Sequence, residues 1–117
     1  MWEIDVEPVA DWLSRLDPSS SVQVIAALEL LREHGPSLGR PLVDTISGSR
    51  HKNMKELWPG SSGRSKIRLL FIFDPNRRAI ILIAGDKSGQ WTKWYKTNIP
   101  IADDRYDLHL KQLKRGK

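Results

Sequence analysis

Three apolar runs of strand length lie between residues 50 and 87, separated by residues that favour turns. The first run ends at Trp58, the second spans residues 64–73, and the third spans residues 79–84. Pro59-Gly60 and Asp74-Pro75-Asn76 interrupt them, and cations lie at their ends. This pattern predicts an antiparallel meander with one basic face.

The middle run alternates with a period of two, which places its cations on one side of a sheet. That side carries Arg64, Lys66 and Arg68, and the other side carries Ile67, Leu69, Phe71 and Phe73. We expect helices to pack on the apolar side only. The cationic side becomes apolar at Leu70 and Ile72, so Arg68 should lie at the boundary between solvent-exposed and buried surface. A guanidinium at such a boundary binds a phosphate strongly. Solvated cations on an open face would give the same pattern.

The rest of the chain predicts elements that flank this meander. Residues 2–6 alternate apolar and acidic side chains, as a half-buried edge strand does, and Pro8 starts a short helix. A second helix, with an apolar stripe of Val24, Ile25, Leu28 and Leu31, ends at Gly35-Pro36. A surface loop at residues 35–49 should flank a binding site. After a loop with one turn of helix at residues 86–96, a last helix begins at Pro100.

This order, β-α-α-β-β-β-α, predicts one α+β domain that spans residues 1–117. The run at residues 79–84 is apolar on both faces, so we expect it to be the central strand.

Charge is distributed unevenly along the 117 residues. Residues 1–33 hold seven acidic and two basic side chains, a balance of −5, whereas the whole chain carries +5, so the other 84 residues carry +10. A one-sided positive field favours a polyanionic partner, although a basic surface that serves only solubility would look the same. We expect the partner to be RNA.

Composition argues against several other classes of protein. The chain has no cysteine, which excludes disulfides and thiolate metal sites and fits a reducing cytoplasm. Its apolar runs are far shorter than the roughly 20 residues of a membrane-spanning helix. No glycine-rich phosphate loop precedes a helix, and no HExxH motif is present. We expect a cytoplasmic protein that uses no metal and no cofactor and binds no membrane.

Lysines on neighbouring strands could add to the charge of Arg68. Lys52 and Lys55 precede one strand and Lys87 follows another, so their charges could converge on a phosphodiester. This suits RNA cleavage in which the ribose 2′-hydroxyl attacks the adjacent phosphate, helped by a general base and a general acid worth about 10²- to 10⁴-fold each.

Three side chains are candidates for proton transfer: His51, Tyr95 and His109. His51 lies beside Lys52, and histidine is a common general acid or base in proteins. A surface histidine would explain its position equally well, core packing would explain Tyr95, and a structural role is the better explanation of His109.

Aromatic rings near the end of the chain are candidates for base stacking. Trp91 and Trp94 interleave with Lys93 and Lys96. Stacking on unpaired bases is worth about 1–3 kcal/mol per base, but the same rings could close a core. Trp58 could belong to either face of the sheet.

These residues together resemble the RelE/HigB superfamily, specifically the phage-derived HigB-like toxins of type II toxin-antitoxin modules. The resemblance rests on Lys55-Glu56-Leu57, the strand from Arg64 to Asp74, Ala84-Gly85-Asp86-Lys87-Ser88-Gly89, Trp94-Tyr95, and a final Ala102-x-x-Arg105-Tyr106. It implies a RelE-like fold, with a twisted antiparallel sheet packed against two N-terminal helices and a C-terminal helix.

The resemblance also implies a function. Proteins of this kind are endoribonucleases (mRNA interferases) that cut messenger RNA on the ribosome and inhibit translation. A helix-turn-helix antitoxin neutralises them, and operator DNA is bound only through the complex. By position, Arg68 corresponds to the phosphate-stabilising arginine, Lys87 to the cation after the next strand, and Lys52 or Lys55 to the lysines of the preceding strand. Tyr95 takes the place of the stacking or proton-transferring tyrosine.

In the toxin, the residues expected to bind RNA are Lys52, Arg64, Lys66, Trp91, Lys93 and Trp94. Two other functions fit the same residues. One is a non-catalytic nucleic-acid-binding or regulatory protein of the same fold, in which lysines and arginines hold phosphates and no proton is transferred. The other is an interaction domain whose only partner is the antitoxin-like protein. Growth arrest on expression favours the toxin over both, unless RNA binding alone blocks translation.

Overall fold

The computed structural model describes residues 1–60, 67–86 and 91–116. It contains five strands: β1 (Glu3–Asp5), β2 (Val43–Thr45), β3 (Lys55–Leu57), β4 (Ile67–Phe73) and β5 (Arg78–Asp86). Three α-helices accompany them: α1 (Ala10–Ser14), α2 (Pro18–His34) and α3 (Trp91–Arg115). Short 3₁₀ turns lie at Glu7–Val9 and Gly35–Ser37. The expected α+β fold is confirmed, and β2 adds a strand to the four expected.

The strands form one mixed sheet in the order β1-β5-β4-β3-β2. The sheet is antiparallel except that β1 runs parallel to β5. The middle strand is therefore β4, and the expectation that residues 79–84 form the central strand is wrong. Residues 79–84 are nevertheless apolar on both faces, because helices cover β5 on each face of the sheet. β5 also pairs with a strand on each side, β1 and β4.

Helices cover both faces of the sheet. On one face α1 and α2 bury Leu69, Phe71 and Ile81 against Val24 and Leu31. On the other face, the face of Arg68, α3 packs through Trp94, Ile99, Ala102 and Tyr106 onto Leu70, Ile72 and Ile80. The expectation that helices pack on one side only is wrong, because the apolar residues that follow Arg68 on its own face also have to be removed from water.

The apolar stripe of α2 is rotated from the one expected. Val24, Ala27 and Leu31 are buried, whereas Ile25 is 55% exposed. Ala27 has the smaller side chain and the helical spacing to the other two, so the backbone of α2 can lie close to the sheet along this line.

Helix α3 begins at Trp91, nine residues before the expected start at Pro100. Proline lacks the N–H that would bond the carbonyl of Lys96, which costs an interior helix about 3 kcal/mol. Burial of Trp94 and Ile99, which both precede this proline, keeps the first turns helical. The side chain of Asn98 also donates to the carbonyl of Trp94 at 2.9 Å.

A bulge in β5 is fixed by α3. Leu70 pairs with Ile83 and Phe71 pairs with Ile81, so Leu82 has no partner in β4. Arg105 Nη1 donates to the carbonyl of Leu82 at 2.6 Å, which satisfies a buried acceptor.

None of the helices in the three described ranges is long and apolar enough to cross a membrane.

Candidate functional site

A groove lies between the β2–β3 edge of the sheet and the first turns of α3. Its volume is ≈ 540 Å³. Residues 45–47 of the predicted loop form one wall, and the remaining lining includes Glu56, Trp58, Arg68, Trp91, Tyr95 and Ile99. The sheet, the loop and α3 each contribute side chains, so the groove exists only in the folded chain.

Arg68 lies over two indole rings. Its guanidinium carbon is 4.2 Å from the ring centroid of Trp58 and 4.7 Å from that of Trp91, and Nη1 donates to the carbonyl of Ile67 at 2.9 Å. Each ring gives a cation–π attraction of about 0.5–2 kcal/mol, so the guanidinium is held in one orientation. An anion would bind through the N–H groups, which point outward in the guanidinium plane.

Glu56 and Tyr95 form a pair beside this arginine. Glu56 is only 7% exposed, and the hydroxyl of Tyr95 donates to its Oε2. Burial, together with the hydrogen bond to Glu56, raises the pKa of Tyr95 above its ordinary value, and Arg68 partly opposes this. The pair therefore consists of a tyrosine that stays protonated and a carboxylate that accepts from it.

Sequence reasoning missed Glu56. The signal that could have found it is strand alternation, because Glu56 pairs with Leu70 in the sheet and so shares the face of Arg68. Its hydrogen bond to Tyr95 joins positions 39 residues apart. No local pattern in the sequence shows that contact.

Replacing Tyr95 with phenylalanine should reduce the loss of stability at high pH. The raised pKa means that Tyr95 stays protonated in the folded chain at a pH where the phenol of the unfolded chain, with a pKa of about 10, ionises. Its contribution is complete below about pH 10 and is lost as the pH rises toward the folded pKa. In urea unfolding between about pH 8 and 11, the free energy of unfolding should fall more steeply for wild type than for Tyr95→Phe. Equal slopes would contradict the burial and bonding of this hydroxyl.

The predicted lysines are not part of the groove lining in the described part of the chain. Strand alternation points Lys55 to the opposite side of β3 from Glu56, and its Nζ donates to Oγ1 of Thr45, a residue of the groove wall, at 3.4 Å. Lys52 is exposed in the turn before β3, and Lys93 is exposed on α3. None of the three is among the described residues that line the groove. Three further candidates, Arg64, Lys66 and Lys87, lie outside the described residues.

The two predicted stacking rings have different surroundings. Trp91 lines the groove and covers Arg68. Trp94 is 9% exposed and belongs to the core beneath α3, so its ring is not at the surface where a base could stack. Trp58, which sequence alone assigned to neither face, lines the groove.

His51 is held by α3 instead of facing the groove. Its Nε2 lies 2.9 Å from Asp107 Oδ1, and its ring meets Tyr106 edge-on with centroids 4.8 Å apart. Arg50 beside it binds both Asp104 and Asp107. The hydrogen bonds from Arg50 and His51 keep the pKa of Asp107 below its ordinary range. His109 is likewise engaged with a carboxylate, since its Nε2 is 2.9 Å from buried Asp74.

A buried carboxylate completes this attachment of the loop to α3. Asp103 is 2% exposed, and it accepts from the hydroxyl of Ser49 and from the backbone N–H of Arg50 at 3.1 Å. Segment 49–51 is thus bound to α3 by side-chain and backbone donors. We infer that His51 fixes the loop.

His51→Ala should therefore lower stability and leave the activity proposed below unchanged. Loss of the Asp107 contact and of the packing on Tyr106 should cost about 1 kcal/mol in the free energy of unfolding. Denaturant unfolding and a cleavage assay on the same preparation measure both quantities. A protein of unchanged stability that no longer cleaves RNA would return His51 to the list of catalytic candidates.

Residues 1–60, 67–86 and 91–116 contain no group of three or more His, Asp or Glu side chains that could hold a metal ion.

The chain belongs to the phage-derived protein Gp49-like (DUF891) family, whose sequence profile matches residues 11–107. It is 55% identical over 116 residues to a Mycobacterium tuberculosis protein named "Putative toxin HigB2", an alignment that covers 99% of this chain and 58% of that relative. It is 48% identical over 102 residues to "Putative toxin HigB3" of the same organism, with 87% of each chain covered. The resemblance to phage-derived HigB-like proteins is thereby confirmed.

Proposed function

We propose that the chain is the toxin of a type II toxin-antitoxin module and that it cleaves messenger RNA on the ribosome. The observation that carries the proposal is the guanidinium of Arg68, held against two indoles beside the Glu56–Tyr95 pair. A fixed guanidinium binds phosphate through two N–H groups, and a carboxylate next to it can accept a proton. The names of the two relatives support the toxin part of the proposal.

The groove suits cleavage by the ribose 2′-hydroxyl. Glu56 takes the proton of that hydroxyl as the 2′-oxygen bonds to phosphorus, and Arg68 stabilises the added negative charge on the phosphate oxygens. The bond from phosphorus to the 5′-oxygen breaks, and the 5′-oxygen takes a proton from water in the open groove. Tyr95, whose raised pKa makes it a weak acid, orients the carboxylate of Glu56.

A toxin requires a partner that neutralises it. We propose a helix-turn-helix antitoxin, with operator DNA bound only by the complex of the two proteins, and we propose that both act in the cytoplasm. The positive charge of residues 34–117 would favour approach to ribosomal RNA and messenger RNA alike.

The second candidate is a protein of the same fold that binds RNA without cutting it. The observation in its favour is that none of the groove-lining residues in the described part of the chain is a histidine, the side chain best suited to proton transfer near neutral pH. In that case Arg68 would hold a phosphate and Glu56 would serve only to orient Tyr95.

Mapping new messenger RNA 5′ ends after expression tests the proposal. Cells that express the chain without any antitoxin should acquire ends at fixed positions within codons. A Glu56→Gln protein, which keeps a hydrogen-bond acceptor for Tyr95 but loses the base, should give about 10²-fold fewer ends or fewer still.

The result also separates the candidates. Growth arrest with no new 5′ ends would favour RNA binding without cleavage. Ends that persist when translation is blocked before elongation would overturn the dependence on the ribosome. Normal growth with full expression would overturn the toxin assignment itself.

A further inference from the structure

A second cavity shares Trp58 with the groove. It has a volume of ≈ 370 Å³ and is lined by Arg40, Pro41, Asp44, Trp58 and Gly60. That volume is within the range of about 300–1,000 Å³ found for small-molecule sites. Arg68 lies over the Trp58 ring and is not part of this lining. We call this cavity, which shares Trp58 with the groove, the Trp58 slot.

Backbone hydrogen bonds fix the walls of the Trp58 slot. The N–H of Trp58 donates to the carbonyl of Leu42 at 2.7 Å, and the N–H of Val43 donates to the carbonyl of Gly39 at 3.1 Å. Val43 also pairs with Leu57 in the sheet. The ring of Pro41 and the indole are thus held as two apolar walls of one slot, an arrangement that fits a flat aromatic ligand.

The rim of the slot carries both a donor and an acceptor. Arg40 Nη2 lies 2.9 Å from Asp44 Oδ2, and Asp44 Oδ1 accepts from the N–H of Thr45 at 2.9 Å. The N–H of Thr45 and then the guanidinium of Arg40 keep the pKa of Asp44 below its ordinary range, so this carboxylate is ionised and only accepts. The guanidinium only donates. A ligand with donors and acceptors on adjacent edges would satisfy both.

We propose that the Trp58 slot binds a base of the RNA strand next to the phosphate on Arg68, with guanine preferred. Guanine offers N1–H and N2–H₂ donors to Asp44 and O6 and N7 acceptors to Arg40, a combination that the other three bases lack. Its two fused rings also stack over more of the indole than a pyrimidine does. This inference rests on the proposed function in taking RNA as the ligand.

The distances suit a single nucleotide. The guanidinium carbon of Arg68 is 4.2 Å from the Trp58 ring centroid, and a base stacked on this indole from the slot would lie about 4.5–7 Å from the same centroid. One nucleotide can place its phosphate at Arg68 and its base in the slot. Arg40 and Asp44 would then determine sequence preference at the cut.

Binding of the four nucleoside 5′-monophosphates to the intact protein tests the slot directly. The nitrogen-labelled indole signal of Trp58, assigned with the Trp58→Phe protein, should shift on addition of GMP. GMP should bind about tenfold more tightly than AMP, CMP or UMP, as expected for one good two-bond base contact. Four equal affinities, or shifts that leave Trp58 unchanged, would overturn the proposal.

Asp44→Ala is the variant that isolates the base contact. It should bring the affinities for GMP and AMP to within about twofold of each other. The matched control is Asp11→Ala, which removes the acid of another exposed Arg–Asp pair at the same i,i+4 spacing, Arg15–Asp11 at 2.7 Å, and should leave the tenfold preference intact. Loss of the preference in both proteins, or in neither, would contradict a role for Asp44.

The slot and the proposed function can fail separately. GMP preference in a protein that cuts no RNA would keep the slot and favour the RNA-binding candidate. Cleavage at sites with no guanine enrichment, unchanged in Asp44→Ala, would keep the function and overturn the slot.

Discussion

Replacing Arg68 with alanine should abolish RNA cleavage, with a loss of about 10²- to 10³-fold or more, the usual cost of removing one donor that stabilises transition-state charge. The guanidinium is positioned by two rings and a backbone carbonyl before any substrate arrives. Little reorganisation is therefore needed when charge develops on the phosphate. Arg68→Lys should recover only part of the loss, because an ammonium keeps the charge but cannot present two parallel N–H groups.

The control for this experiment is Arg77→Ala. Arg77 also lies over an indole, 4.6 Å from the ring of Trp2, but neither residue lines the groove. Both substitutions remove one charge, and they remove two cation–π contacts at Arg68 and one at Arg77. Codon-resolved 5′-end mapping and denaturant unfolding of each protein would show whether cleavage depends on Arg68 specifically. Equal losses of cleavage in the two proteins, or a folded Arg68→Ala protein that still cuts, would remove Arg68 from the site.

Arg68 could be anticipated from sequence because its position follows from one strand. Alternation in β4 assigns it a face, and the change to Leu70 on that face assigns it a boundary. The two rings that hold it could not be anticipated in the same way. Trp58 comes from the end of β3 and Trp91 from the start of α3, so their meeting depends on how α3 crosses the sheet.

The start of α3 was mispredicted for a related reason. Pro100 is a strong local signal for the beginning of a helix, and the residues before it look irregular when only local pattern is considered. Tertiary burial of Trp94 and Ile99 outweighs that signal. Because α3 begins at Trp91 and crosses the sheet, Trp94 is buried and Trp91 lies against Arg68. The position of this one helix boundary therefore determines which of the two tryptophans lines the groove.

Gly85→Ala should damage both the fold and the groove. A Cβ at this position would lie 2.2 Å from Trp94 Nε1 and 2.5 Å from Cε2, so the indole would have to move. Overpacking of this kind costs about 1–3 kcal/mol. That exceeds the roughly 0.4–1 kcal/mol that alanine gains over glycine by restricting the unfolded chain. We expect a net loss in the free energy of unfolding.

The effect should reach Arg68 through contacts between rings. Gly85 pairs with Arg68 across the sheet, and the ring of Trp94 lies 5.3 Å from that of Trp91 and 5.2 Å from that of Tyr95. A displaced Trp94 therefore displaces the ring that covers the guanidinium or the hydroxyl that binds Glu56. Cleavage should fall by about tenfold or more under conditions in which the variant is still folded, since misplacing catalytic groups by about 1 Å can cost about 10²-fold.

Gly39→Ala is the matched control, because a Cβ there meets nothing within 4 Å. That protein should keep full cleavage and unfold at equal or slightly higher urea concentration, a change opposite in sign to that of Gly85→Ala. Unfolding midpoints and cleavage rates of the two variants, measured side by side, separate the clash from the general effect of replacing glycine. If Gly85→Ala matched Gly39→Ala in both, the packing of Trp94 on β5 would not determine the shape of the groove, and the position of Arg68 would not depend on Trp94.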